Sequence, residues 1–542
     1  MNHPRPGHHG PAKLSSLKPA DWISLHARYR PEERCLVTPA GTYTFGEINS
    51  RVNRLARALR AHGVTRHDRI GVLATDSADY MVLLMASMKI GSTYVPLNYR
   101  LAPGEIVTFA TAAKLDAFVT MARYAEAAAA VDEVRPDLKL RASFDAFGDR
   151  PLIADLIESE PDDGDVEVPT EPEDIISIMF TSGTTGRPKG VMQSMRMLGA
   201  STGVSLLDFG FQRGELRYTA SPMFHAAGMG CVYYGIARGF ASLILDQFDP
   251  VALLDWIKSG ELTGALLMPT MLKALLEVPG VRDQPYPHLR SIVYGGAPIG
   301  IDLLREAIEV FACDFFNSFG AGTEAAGQAM FYPADHLRAL AGEEHLLGSI
   351  GRPMHGVDLR LCDDDGNDVP RGRVGEITTR SETVMSGYLD DPERTAQAVV
   401  DGWFRAGDLA WMDDEGFLFL AGRKSDMIIR GGENIYPDEI ESVLLEHPSV
   451  SAAAVIGQPD DHWGEIVVAA LELREGHDLD ETGLARHCRE RLAAYKVPAR
   501  FLATRDLPRN VNGKIQKFAV TGLLAEPDRT AGSEPGGTGD AS

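Results

Sequence analysis

Residues 175–190 read IISIMFTSGTTGRPKG. The first six, Ile175–Phe180, form a short apolar run of the kind that fills a buried strand. The next ten, Thr181–Gly190, switch at once to glycine, hydroxyl and lysine. Gly183, Gly186 and Gly190 let the backbone turn tightly and expose its N–H groups; Thr181, Ser182, Thr184 and Thr185 add hydroxyl donors, and Lys189 adds a cation. A strand running straight into such a loop holds the inventory for cradling a polyphosphate. It is not a Walker A loop, because no Gly-Lys-Ser/Thr ends it. The plainer reading is a flexible Ser/Thr-rich connection.

Outward from this stretch the same rhythm recurs. Arg69–Leu73 (RIGVL) reads as a buried strand, Ala78–Lys89 as a helix and Gly91–Pro96 as the next strand. Ala241–Leu245, Gly264–Met268 and Ser291–Tyr294 are further apolar runs near glycines. Alternation of this kind predicts an α/β fold whose parallel sheets are covered on both faces. No repeat occurs at a fixed period. Near residue 410 the composition shifts. Asp413–Gly416 is a turn signal, Gly422–Asp426 (GRKSD) is short and polar, and a compact segment follows with patterns at Asp438–Glu446, Ala452–Ile456, Glu465–Leu473 and Glu481–Leu492. The expected organisation is a tail over 1–13, a large domain over 14–423, a small domain over 424–525 and a second tail over 526–542.

Composition narrows the classes. The 542 residues are 44% hydrophobic and 24% charged, within the globular range. Lys+Arg number 53 against 76 Asp+Glu, a net charge of -23. A surface this acidic repels phosphate backbones and anionic lipid, which argues against nucleic-acid and membrane-surface roles, and a polyphosphate ligand needs a local exception to that field. Cys35, Cys231, Cys313, Cys362 and Cys488 are odd in number and widely spaced, with no C-x-x-C, so neither a disulfide framework nor a zinc site is indicated. Apolar runs such as Met81–Met88 are too short to span a membrane, and residues 1–14 hold no signal-peptide core, so the expected location is the cytoplasm. His3, His8 and His9 sit in a Pro/Gly-rich tail and read as solvated.

The loop at Thr181–Gly190 resembles the signature of the adenylate-forming superfamily, which includes acyl-CoA synthetases, adenylation domains and firefly luciferase. Further segments match the family in order: Ser221–His225 (SPMFH), Tyr294–Pro298 (YGGAP), Phe319–Glu324 (FGAGTE), Trp403–Asp408 (WFRAGD), Gly422–Glu441, Tyr495–Pro498 (YKVP) and Pro508–Lys514 (PRNVNGK). The likeness covers about residues 20 to 520. Two departures stand out: one extra residue between Phe319 and Thr323, and Met195 where relatives often carry histidine. Gly320–Ala325 (GAGTEA) also fits the dinucleotide fingerprint G-x-G-x-x-A, a lone and weak match.

The resemblance implies a large N-terminal domain of stacked mixed sheets with helices and a small β-barrel, and a small mobile C-terminal α+β domain. It implies that ATP and a carboxylic acid give acyl-AMP and pyrophosphate, after which CoA thiolate displaces AMP. Joining two anions needs cations, and Mg²⁺ is satisfied by one carboxylate plus phosphate oxygens. Glu324 would supply that carboxylate, with the Thr181 hydroxyl nearby. Ser182, Gly183, Thr184, Thr185, Gly186 and Lys189 would hold phosphates. Gly295, Gly296, Ala297 and Pro298, with Asn317, Ser318, Phe319, Gly320 and Thr323, would line the adenine side. Asp408 would accept the ribose hydroxyls, Arg423 would add a ribose or phosphate contact, and Lys514 would bridge the carboxylate and the α-phosphate. Ser425 stands at the hinge, Gly431 and Gly432 would pass the pantetheine arm, and Trp463 would stack near the CoA adenine. His225, Ala226, Ala227 and Gly228 would bound the acyl pocket, whose small side chains favour a bulky or long acid. The expected acid is a medium- or long-chain fatty acid, with an aryl or alicyclic acid as alternative. An acyl carrier protein in place of CoA, a homodimer, an oxygenase using the same adenylate, and a non-catalytic nucleotide or acyl sensor stay open.

Overall fold

The computed structural model describes residues 19–166, 168–181, 189–297, 299–320, 322–431, 433–460, 462–509, 515–517 and 519–520. Ile175–Thr181 lies inside a seven-stranded sheet, in the order Gly387–Tyr388, Lys189–Ser194, Ile175–Thr181, Thr93–Pro96, Arg69–Leu73, Ala117–Thr120, Leu140–Ser143. From Ile175–Thr181 to Leu140–Ser143 the pairs are parallel, and the two strands on the other side are antiparallel. The helix Ala78–Ile90 shows why these segments fold as they do. Ser77 accepts the Tyr80 N–H as N-cap, and Gly91 ends the helix at φ 72°, where only glycine sits without strain. Between these caps the helix is apolar on every side and is buried along its length.

A nine-stranded sheet follows the order Arg352–Pro353, Ala329–Phe331, Asp314–Phe319, Ser291–Gly295, Gly264–Leu267, Leu216–Thr219, Ala241–Leu243, Arg34–Thr38, Gly41–Thr44. Its interior pairs, from Asp314–Phe319 to Arg34–Thr38, are parallel, with antiparallel strands at both margins. Register aligns Thr219 with Leu266, Leu266 with Val293 and Val293 with Phe316. Where a small barrel is expected, the described residues form a five-stranded sheet of Asp358–Cys362, Gly375–Arg380, Trp403–Met412, Val399–Val400 and Leu418–Arg423.

Contacts divide the chain into two compact units through this last sheet. One runs to Ala406 and takes in Met412–Phe419; the other is Gly407–Trp411 with the chain from Leu420 on. The second unit holds its own sheet of Glu433–Ile435, Ile428–Arg430, Gly464–Leu473, Val450–Asp460 and Arg500–Thr504. The helices Pro437–Leu445 and Glu481–Arg489 share its core through Ile440, Leu444 and Leu484, packed with Val455, Val467 and Phe501. The strand Val450–Asp460 runs past the apolar segment Ala452–Ile456 because backbone pairing with Gly464–Leu473 continues to the turn, where one apolar face is no longer needed. Among the described residues no helix is long and apolar enough to cross a membrane.

Candidate active site

The carboxyl ends of parallel strands are where an α/β sheet offers its binding crevice. Here that edge carries much of the candidate site. Ser291–Gly295 and Asp314–Phe319 end side by side, with Tyr294 paired to Asn317 and Gly295 to Ser318. A Cβ on Gly295 would lie 2.5 Å from the Ser318 carbonyl oxygen, so only glycine permits this approach. Gly296 and Ala297 are exposed beyond it, and Asn317, Ser318 and Phe319 are half-buried.

After Phe319 the chain makes an excursion and returns: the Gln328 N–H donates to the Phe319 carbonyl at 2.8 Å. Gly322, at φ 63°, lies within this excursion, which accommodates the extra residue of the motif and carries Thr323 and Glu324. No helix opens here; the chain turns into the antiparallel strand Ala329–Phe331, so the dinucleotide-fingerprint reading of Gly320–Ala325 fails. Thr323 is buried, and its carbonyl accepts from Gln193 Nε2 at 3.2 Å. The Glu324 carbonyl accepts from the Met385 N–H at 2.8 Å. This excursion therefore ties the nine-stranded sheet to the margin of the seven-stranded one.

That margin brings the charged groups together. Thr181 and Lys189 face each other across the antiparallel pair. Lys189, expected within the loop, instead opens the strand Lys189–Ser194, because the ladder closes on it. Its Nζ lies 5.5 Å from the centre of the Tyr388 ring. Tyr388 in turn donates its hydroxyl to Glu324 Oε1 at 3.2 Å. Burial, with the Glu324 carboxylate beside it, pushes the Tyr388 phenol well above its ordinary range, so it stays a donor. Tyr388 escaped the sequence reading; its two-residue strand is recruited by pairing with Val191 and Met192, which no local pattern reports.

The segment Ser221–His225 follows the strand Leu216–Thr219. His225 caps the helix Ala226–Arg238, its Nδ1 accepting from the Ala227 N–H at 3.3 Å. Burial, then the Arg100 charge, lowers its pKa, so the ring is neutral at pH 7. The expectation that Gly228 leaves room for an acyl group is corrected: a Cβ there would meet the Pro222 and Ser221 carbonyl oxygens at 2.2 and 2.3 Å. The missing side chain is used by the backbone, and the open positions are Ala226 and Ala227, both half-buried. A second residue missed in the sequence holds this segment. Both Asp76 carboxylate oxygens accept the Met223 N–H, at 3.0 and 3.2 Å. Burial pushes Asp76 up to about 7; the Met223 N–H opposes that shift, Asp246 adds to it and Arg100 opposes it.

In the second unit, buried Asp408 pairs with Arg423 at 2.9 Å. Ser425 donates to Asp426 Oδ1 at 2.8 Å within the short 3₁₀ turn Lys424–Asp426. Gly431 has φ 60°, and a Cβ on it would lie 2.9 Å from the Trp463 ring. The Gly431 N–H donates to the Trp463 carbonyl at 2.7 Å. Trp463 is 45% exposed, with the Arg430 guanidinium 5.3 Å from its ring centre, so it is a surface platform and not a core residue. Ser182, Gly183, Thr184, Thr185, Gly186, Pro298, Gly432 and Lys514 lie outside the described residues.

Residues 23–389 match the family described as AMP-binding enzyme, and residues 439–514 match the AMP-binding enzyme C-terminal domain. The chain is similar to a feruloyl-CoA synthase of an Amycolatopsis species, 34% identical over 92% of this chain and 97% of the relative. It is 32% identical to the long-chain-fatty-acid–CoA ligase FadD13 of Mycobacterium tuberculosis, over 93% of this chain and 98% of the relative. The solved structure of the amide bond synthetase McbA from Marinactinospora thermotolerans superposes with a TM-score of 0.84 at 31% identity, covering 94% of this chain and all of that one.

Proposed function

This chain belongs to the AMP-binding enzyme family, and from that membership we propose that it is an ATP-dependent acid–CoA ligase working through acyl-AMP. A substrate carboxylate oxygen attacks the α-phosphorus of ATP, the bond to the bridging oxygen breaks, and pyrophosphate leaves. The CoA thiolate then attacks the acyl carbon, the bond to the AMP oxygen breaks, and the acyl thioester forms.

One observation carries the reading: Lys189, which pairs with Thr181 across the antiparallel ladder, and the carboxylate of Glu324 both meet Tyr388. In this protein of net charge -23 they place a cation and a hard carboxylate together. The Lys189 ammonium neutralises phosphate charge, with Ser182, Gly183, Thr184, Thr185 and Gly186 supplying donors. Glu324 and the Thr181 hydroxyl suit a hard cation, because Mg²⁺ needs one carboxylate when phosphate oxygens supply other ligands. Held by these residues, Mg²⁺ would supply positive charge to the phosphate oxygens. Tyr388, donating to Glu324, fixes which way the carboxylate points. Gly295, Gly296, Ala297 and Pro298, with Asn317 to Gly320 and Thr323, take the adenine side. Asp408 accepts the ribose hydroxyls, and Arg423 orients it through their ion pair. Lys514 stabilises the meeting of carboxylate and α-phosphate. For the second half-reaction Ser425 marks the hinge, and Gly431, Gly432 and Trp463 receive CoA. The setting is the cytoplasm.

The test is acid-dependent pyrophosphate release from ATP by purified protein, followed by CoA-dependent AMP formation. Release that no acid stimulates refutes the ligase and leaves a nucleotide or acyl sensor. Acyl-AMP that reacts with a carrier thiol or an amine but not with CoA moves the acceptor and keeps the first half-reaction. On the residues alone a medium- or long-chain fatty acid stands first as substrate and an aryl or alicyclic acid second.

A further inference from the structure

Between the helix Ala226–Arg238 and the nine-stranded sheet lies a cavity walled by Phe209, Thr219, Cys231, Tyr234 and Val293 and floored by Phe211. It is narrow: the centre of a water-sized group can occupy only about 20 Å³ of it. Its position follows from register. Val293 and Gly295 are two apart on one strand and point to the same face, about 6.6 Å from each other. Thr219 and Leu266 align with Val293 across the neighbouring strands. On the helix, Ala227, Cys231 and Tyr234 follow at i, i+4 and i+7 and form one stripe, so Cys231 is about one turn, about 6 Å, below Ala227. The cavity therefore begins one helical turn beneath the two surfaces that bound the acyl position, Ala227 on the helix and Gly295 on the strand.

Below it the way is shut. The Arg217 guanidinium lies 4.1 Å from the centre of the Phe211 ring. It donates to Glu215 Oε2 at 3.0 Å and to Ser291 Oγ at 3.0 Å, and Arg217 and Glu215 are both buried. Phe211 packs edge-on against Phe240 at 5.5 Å and stacks with Phe209 at 4.9 Å. Passing an alkyl chain through this floor would break a buried ion pair, which leaves an uncompensated charge.

We infer that the acyl pocket ends blind at this cavity and that the acid has a compact ring as its acyl part, with a substituent of a few atoms reaching down between Cys231, Tyr234 and Val293. The inference rests on the ligase reading with its acyl position at His225–Ala227. It reverses the order of the two substrate classes that the residues alone suggest. The wall of aromatic rings suits a flat partner, because offset and edge contacts between rings add to plain burial. A long flexible chain finds no room here, because about 20 Å³ is far below the ~300–1,000 Å³ of a pocket that encloses a large ligand, and only a short substituent can enter.

The experiment measures acid-dependent pyrophosphate release by the wild-type protein with benzoate, 4-methoxybenzoate, 4-methoxycinnamate and cyclohexanecarboxylate against octanoate and palmitate. The expected kcat/KM favours the best ring acid over palmitate by at least ~100-fold, the scale on which an apolar pocket excludes a misfit. Palmitate used as well as the ring acids overturns the blind pocket while leaving the ligase intact. Release with none of the acids refutes the ligase reading and the pocket assignment with it. Two variants then locate the determinant. Cys231→Phe fills the cavity and lowers kcat/KM for 4-methoxybenzoate at least ~10-fold more than for benzoate. Tyr234→Ala removes a wall and raises octanoate relative to benzoate by ~10-fold. ATP protection against thermal unfolding reports that each variant is folded; folded variants with an unchanged selectivity ratio overturn the assignment.

Discussion

Asp76 offers a quantitative test of how the acyl-site segment is held. Its two oxygens accept the Met223 N–H two residues before His225. Its pKa is pushed from 3.8 to about 7, chiefly by burial. The folded protein therefore holds a proton that the unfolded chain releases between those values. A raised carboxyl pKa adds stability that is full below about pH 4 and is lost as pH rises through about 7. Three pKa units at about 1.36 kcal/mol each set a ceiling near 4 kcal/mol. Asp76 is half-buried rather than sealed, so solvent screening reduces the expectation to about 2 kcal/mol. Asp76→Asn keeps an acceptor for Met223 and cannot ionise. Its stability relative to wild type should be near zero at about pH 3 and should climb by about 2 kcal/mol by about pH 8. Urea unfolding of both proteins at four pH values between these limits measures the climb. A difference that is constant with pH, or that falls as pH rises, refutes the reasoning.

Three further outcomes follow from the site. Glu324→Gln should raise the Mg²⁺ concentration needed for half-maximal pyrophosphate release by at least ~10-fold, and Tyr388→Phe, which removes a charge-assisted hydrogen bond but leaves the carboxylate in place, by only ~5-fold; a Mg²⁺ titration that neither variant shifts refutes the assignment of Glu324. Gly431→Ala forces a Cβ to 2.9 Å from the Trp463 ring in a left-handed conformation costing about 1 kcal/mol or more, so acyl-CoA formation from supplied acyl-AMP should fall while acid-dependent pyrophosphate release persists. Equal loss of both half-reactions would make that segment structural. Lys514→Ala should slow acyl-AMP formation ~10²–10³-fold, as losing one stabilising charge does, and spare acyl-CoA formation from chemically made acyl-AMP; equal slowing of both would mean the lysine does not act in the first step alone.

What the sequence by itself determined is local. Ile175–Phe180 reads as a strand because apolar residues crowd a short window, and Ala78–Lys89 as a helix because an apolar run is long and stops near a glycine. The order of motifs identified the chemistry, since each motif is contiguous and carries its residue types with it. Contacts between distant segments decided the rest. Tyr388 meets Glu324 across 64 positions, and Asp76 meets Met223 across 147, at separations where no periodicity survives. Gly228 looked like open space because composition records the absence of a side chain and not what occupies the gap; the Pro222 carbonyl occupies it. Lys189 looked like a loop residue because antiparallel pairing is a property of two backbones. The depth of the acyl pocket belongs to the same class. It is set where Arg217, paired with Glu215 two residues back, meets Ser291 across 74 positions above Phe211, a contact that only the packing of separate strands brings down to 3.0 Å.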